Sequence, residues 1–247
     1  MICRFCNQDK PLIRAHILPA YFFREIRQDS SYIIEVHSER HNLVHNRGGY
    51  YDPRILCREC EDYFRDWDQA GINFFQRADS FERIEEGELV VYRTTDFDYH
   101  LMKLFFISIL WRAAITTRPF FNRVQLGPFQ QHAYEILKNQ GYTEPDDFGV
   151  VIFRFVGNPV LEDVISDPFV SKFDGIRYYQ FQLNQFGFLI KVDQRPVNKS
   201  FQELLMKNHE NIHILGRNIN TSPELRVLYS TIHRQQLLAR RQTENRS

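Results

Sequence analysis

The chain has 247 residues, 43% hydrophobic and 25% charged, a composition that fits a folded soluble protein and excludes a disordered or fibrous one. Its 31 basic and 31 acidic residues cancel, so no net field draws the whole molecule to nucleic acid or a membrane surface. The 31 basic residues are 24 Arg and 7 Lys, and Arg favours bidentate contacts to carboxylate and phosphate.

The chain opens on a knuckle, Cys3-Arg-Phe-Cys6, followed by an apolar strand-like stretch over residues 12–18 that Pro19 ends. Residues 20–50 read as irregular and polar. His37, His41 and His45 decorate this loop, with room for one of them to join a metal shell, and Gly48-Gly49 marks a turn. From Cys57 the pattern turns helical: Tyr63, Phe64, Trp67, Ile72, Phe74 and Phe75 recur at three- and four-residue spacing, with Asp66 and Asp68 on a solvated face. Residues 89–93 read as a strand. Asp96 and Asp98 mark the start of a helix that runs through 104–115, apolar on most faces and therefore buried. Its run over 104–111, interrupted by Ser108 and flanked by Lys103 and Arg112, is too short to span a bilayer.

Residues 130–139 form an amphipathic helix closed by Gly141, and 150–156 a strand. Two alternating runs, 176–183 and 186–192, meet at Asn184-Gln185 as a hairpin. A short helix over 201–208 and a strand over 212–215 follow. Ser222-Pro223-Glu224 then caps a last helix carrying Arg226, Arg234, Arg240, Arg241 and Arg246. Most aromatic residues after 98 have the spacing of core, although the hairpin aromatics could also stack on unpaired bases. The expected class is α+β, with a metal module over 1–95 and a mixed α+β domain over 96–247. No apolar segment follows a basic N-terminus, so the expectation is a cytoplasmic chain with no membrane partner.

The cysteines are the most specific signal. All four fall into two identically spaced pairs, Cys3-x-x-Cys6 and Cys57-x-x-Cys60. Two such turns supply the four soft ligands that tetrahedral Zn²⁺ prefers, and in a reducing compartment paired cysteines hold metal more often than they form disulfides. A knuckle, a strand hairpin and a second knuckle opening a helix is the layout of a treble-clef zinc finger. Neither pair lies in the βαβ context of a redox dithiol.

Between the pairs stand Leu12-Ile-Arg-Ala-His16-Ile-Leu-Pro19 and Gly48-Gly49-Tyr-Tyr-Asp52-Pro-Arg-Ile-Leu-Cys57-Arg-Glu-Cys60-Glu61. This first quarter of the chain resembles the HNH endonucleases, the ββα-metal (His-Me finger) family with paired zinc knuckles. His16 matches the family's first motif histidine, which the resemblance makes the general base. Asp52 stands where the family has Asn, Glu61 where it has His or Asn, and Ala15 where many members have a metal-binding Asp. The stretch between His16 and Asp52 is longer than usual. Asp52 and Glu61 together offer oxygen ligands, which suit Mg²⁺ or Mn²⁺ better than Zn²⁺. Arg14, Arg54 and Arg58 flank these positions and are candidates to clamp phosphates.

The resemblance implies a metal-dependent nuclease acting on nucleic acid, DNA before RNA. Chains with such a finger fused to a further domain are associated with defence against phage or mobile DNA. The second domain would then recognise a target or bind a restraining protein. The alternative is a non-catalytic zinc module that binds nucleic acid or a partner protein.

Overall fold

A computed structural model describes residues 1–24, 33–37, 42–46, 48–87, 89–156, 164–183, 185–208 and 210–218. The expected Arg-bearing last helix and His41 lie outside the described residues. The fold is mixed α+β, with its largest sheet seven-stranded.

The N-terminal elements are small. Strand β1 (Ala15–His16) is followed by a single helical turn, α1 (Tyr21–Arg24). Strands β2 (Ile33–His37) and β3 (Asn42–Asn46) pair antiparallel where an irregular loop is expected. Their inward residues are polar as well as apolar, so the period-two signal is masked: Glu35 is buried and accepts from Asn46, while its other oxygen lies 3.2 Å from His37 Nε2. His37 therefore belongs to a strand rather than to a solvated loop. Strand β4 (Tyr51–Asp52) returns to β1, and helices α2 (Arg58–Tyr63) and α3 (Arg65–Gln76) follow, as the stripe from Tyr63 to Phe75 predicts.

Two strands, β5 (Glu82–Glu86) and β6 (Leu89–Thr94), lead into α4 (Tyr99–Ile115). Asp98 caps that helix by accepting from the Leu101 amide. Helix α4 is buried on nearly every face, as a helix apolar all round must be. Helix α5 (Phe129–Asn139) ends at Gln140 in the left-handed region, and the Gly141 amide closes it onto Ile136.

Strands β7 (Val150–Val156), β8 (Val164–Ser166), β9 (Phe169–Phe173), β10 (Ile176–Leu183) and β11 (Phe186–Lys191) follow. Short helix α6 (Lys199–Gln202) and strand β12 (Ile212–Asn218) complete the described chain. The hairpin about Asn184-Gln185 pairs in the expected register, Leu183 opposite Phe186. The large sheet runs β5-β6-β12-β7-β11-β10-β9, with β12 parallel to β7 and the other neighbours antiparallel. Strands β3-β2-β8 form a second sheet and β1-β4 a two-stranded one.

Both faces of β11 are covered, so all six of its residues are buried. On one side lies α4, with Phe106 and Phe188 rings 4.9 Å apart. On the other lies a smaller cluster of Val36, Phe153, Tyr178, Leu189 and Leu205. Helix α3 packs closely on α4 because Gly71 has no side chain: a Cβ there would lie 2.5 Å from the Phe105 ring. One core of buried residues extends from Cys3 to Ile214. Residue 95, where the sequence divides, falls between a strand of the large sheet and the helix beneath it. Among the described residues no helix is long and apolar enough to cross a membrane.

Candidate metal centre and the His16–Glu61 pair

The two knuckles converge. The sulfurs of Cys3, Cys6, Cys57 and Cys60 all lie within 4.8 Å of one another, and none is in a disulfide. Tetrahedral Zn²⁺ with ~2.3 Å bonds to sulfur needs sulfurs about 3.8 Å apart, so four thiolates this close can hold a metal ion such as zinc. Local backbone builds the arrangement. Asn7 takes a left-handed turn, returning its amide to the Cys3 carbonyl, and the Cys3 amide reaches Gln8. Cys57 caps α2, and its amide donates to Cys3 Sγ at 3.3 Å. Burial pushes the Cys3 thiol up, but the amides of Cys6, Cys57 and Phe5 outweigh it and bring it down to about 7. Among the described residues this is the one group of three or more clustered metal-ligating side chains.

Beside the cysteines, β1 and α2 bring His16 to Glu61. His16 Nδ1 lies 3.0 Å from Glu61 Oε1, and the His16 amide donates to the same oxygen at 3.0 Å. Burial disfavours the Glu61 charge, yet the His16 side chain, buried Arg112 and the His16 amide together hold its carboxyl below the usual range. An ionised carboxylate only accepts, so Nδ1 is the nitrogen that donates to Glu61, and in the neutral ring the lone pair is then on Nε2. The His16 side chain is 42% exposed. Glu61 Oε2 is buried with no hydrogen-bond partner among the described residues, the kind of oxygen that a hard cation would satisfy.

Asp52 lies elsewhere, and strand geometry gives the reason. Ala15 pairs with Asp52 and His16 with Tyr51, and side chains alternate faces along a strand. Ala15 and Asp52 therefore face inward, each with no exposed surface, while His16 and Tyr51 share the outer face. The Asp52 oxygens are already occupied. Oδ1 accepts from the Arg54 amide at 2.9 Å, and Oδ2 from Thr116 Oγ1, Thr117 N and Thr117 Oγ1 at 2.7 to 2.9 Å. Burial raises the carboxyl, but these donors outweigh it and hold it below its ordinary value.

Asp52 in this geometry ties β4 to the end of α4. Asp52→Asn turns one acceptor into a donor facing the Thr117 amide and should cost about 1–3 kcal/mol. The stability of the carboxylate, being tied to a lowered pKa, is present above about pH 4 and disappears as pH falls below it. Urea titrations of the two chains should therefore differ most above about pH 5 and converge as pH falls through the lowered Asp52 carboxyl. A metal ligand would instead raise the divalent-ion requirement of any activity, which would contradict the tie.

The clamp on His16 comes from a residue that reads in sequence as the flank of an apolar run. Arg112 is fully buried, and its Nη1 donates to the His16 carbonyl at 3.0 Å. The same guanidinium grips Asp68 through two bonds of 2.9 and 2.5 Å, and Ser108 takes the remaining donors. Asp68, expected on a solvated helix face, is thus an interior partner with 17% exposure, whereas Asp66 is exposed as expected. A charged residue inside a helix apolar all round was the available signal, because a buried guanidinium requires a carboxylate.

Arg14, Arg54 and Arg58 are exposed on this module. Many arginines elsewhere are neutralised by carboxylates, including Arg65, Arg77, Arg93, Arg154 and Arg195. Arg54 is 3.9 Å from Asp52, but Arg14, Arg58 and Arg118 have no carboxylate within 4.0 Å among the described residues. Comparison with known protein families, with curated proteins and with solved structures returns no match.

Proposed function

We propose that this chain is a metal-dependent HNH-type endonuclease that hydrolyses phosphodiester bonds, with His16 as general base. In this reading Cys3, Cys6, Cys57 and Cys60 hold a structural Zn²⁺ in a treble-clef module. The observation that carries it is the His16–Glu61 pair: a half-exposed imidazole whose Nδ1 is engaged by a carboxylate, so that the neutral ring has its lone pair on Nε2, in a module where Arg14 and Arg58 have no carboxylate partner among the described residues. His16 Nε2 takes a proton from water as its oxygen attacks phosphorus, and the 3′-oxygen leaves on the opposite side. Arg14, Arg54 and Arg58 provide positive charge for the phosphate.

Glu61, through its unpartnered Oε2, is the residue that would hold Mg²⁺ or Mn²⁺, an ion that keeps several waters and needs only one or two carboxylates. When bound, such an ion stabilises negative charge building on phosphate oxygens. The part of the chain after residue 95 recognises the target or a restraining protein in this reading, and phage or mobile DNA is the natural substrate.

One observation favours the non-catalytic reading, a zinc module that binds nucleic acid or protein: Asp52 turns inward and leaves one carboxylate at the pair. Incubation with plasmid, single-stranded DNA and RNA in Mg²⁺ or Mn²⁺, beside His16→Ala, separates the two. Cutting that needs the metal and falls roughly 10²–10⁴-fold in His16→Ala supports the nuclease. Absence of cutting by either chain, or equal cutting by both, rejects the His16 mechanism.

A further inference from the structure

The outer face of the β1–β4 pair holds more than the general base. Tyr51 is the cross-strand partner of His16 and lies beside it, since directly opposed residues place their Cβ atoms about 5 Å apart on one face. The Arg14 guanidinium sits 3.6 Å from the centre of the Tyr51 ring, and that of Arg118 lies 5.7 Å from it. Arg14 comes from the strand leading into His16, whereas Arg118 follows α4, so two distant segments place cations about one ring. Neither has a carboxylate partner among the described residues. At Gly48, a Cβ would meet Tyr51 Oη at 3.0 Å, so the absence of a side chain leaves room for the ring.

We infer that Tyr51, Arg14 and Arg118 form the platform that holds the substrate next to His16, and that its ligand is an unpaired nucleotide with its phosphate. The inference rests on the nuclease reading for its substrate class and adds the strand state and two residues, Tyr51 and Arg118. Phosphate alone is served by guanidinium groups. A guanidinium–aromatic stack adds a flat surface that a base with an open face can cover, and bases within a duplex are already stacked on their neighbours. The balanced charge of the chain argues in the same direction. Sequence-independent duplex binding depends on phosphate neutralisation by a surplus of cations, and this chain has none in total.

The test uses the full zinc-loaded chain carrying His16→Ala, which prevents cutting, and fluorescence anisotropy with labelled 15-mers of single-stranded DNA, single-stranded RNA and duplex DNA. Tyr51→Leu should weaken binding of at least one single strand about 5- to 10-fold, as loss of one stacked base would, with the salt dependence and duplex binding unchanged. Tyr51→Phe keeps the ring and should retain binding. Arg118→Gln should weaken binding and reduce the slope of log K against log salt by about 0.7, the value for one phosphate contact on a single strand. Circular dichroism verifies the fold, and Arg118→Gln carries the test if Tyr51→Leu misfolds. Unchanged single-strand binding in Arg118→Gln or in a folded Tyr51→Leu, or an equal loss for duplex, overturns the platform. A chain that shows this binding pattern yet never cuts with His16 restored keeps the platform and loses the nuclease. A chain that cuts while these variants bind normally does the reverse.

Discussion

Stripping the zinc proposed for the four cysteines is expected to unfold the N-terminal module rather than merely loosen it. The thiols lie within 4.8 Å of one another, with Cys3 and Cys57 nearly sealed from solvent, so the empty site leaves competing thiols packed in the core. Structural zinc in small fingers contributes on the order of 10 kcal/mol of apparent free energy, which equals the whole stability of an ordinary domain. The elements around the site are short: β1 and β4 have two residues each and α2 six. Once the metal leaves, only their packing on the shared core and the bonds from Arg112, Thr116 and Thr117 hold them. A colorimetric release assay should find about one zinc per chain. After chelation, or in Cys60→Ser, the near-ultraviolet circular dichroism of the packed Phe5, Tyr63 and Trp67 rings should collapse at room temperature. A chain that carries no metal, or melts identically after chelation, contradicts a structural metal site.

Arg112→Ala should cost less but still a large share of the stability, without touching the cysteines. Arg112 has no exposed surface and all its donors are used, on His16, Asp68 and Ser108. Its removal strands the Asp68 carboxylate and the His16 carbonyl in the interior, a loss of about 3–5 kcal/mol for a broken buried pair. Arg112→Lys should recover only part, because a single ammonium cannot grip Asp68 bidentately and reach the His16 carbonyl as well. Replacing both partners, as Arg112→Met with Asp68→Leu, should recover much of the stability, since the uncompensated charges vanish together. Urea denaturation of the four chains measures the coupling. A single Arg112→Ala loss below about 1 kcal/mol would mean that the pair is not the buried clamp described.

Much of this was legible in the sequence, and the exceptions have physical causes. The cysteine spacing located the four-thiol cluster that can hold a metal, and the motifs between and after the pairs located His16 and Glu61. The apolar run predicted α4, and the alternating runs predicted the β10–β11 hairpin to the residue at its turn. Asp52 could not be placed because its face depends on register, and one step along β4 separates the outer Tyr51 from the sealed Asp52. The β2–β3 hairpin was hidden because a buried Glu35 and Asn46 interrupt its pattern. Strand β5 was hidden for the opposite reason: all five of its residues are exposed, as a charged edge strand allows. Lys103, at the other flank of the apolar run, is buried as well and donates to the carbonyls of Glu144, Asp147 and Phe148.

The bonds from α4 to the strand pair also bear on how such a chain can change over evolutionary time. His16 depends on Arg112, and Asp52 on Thr116 and Thr117, so the residues that orient the candidate site lie on both sides of residue 95. A recombination event that joined residues 1–95 to an unrelated C-terminal half would inherit a histidine without its clamp and a sealed carboxylate without its donors. The four-cysteine module in this chain is therefore not a portable cassette. Exchange between related chains should be tolerated only where the crossover lies beyond Thr117, with α4 travelling alongside the cysteines.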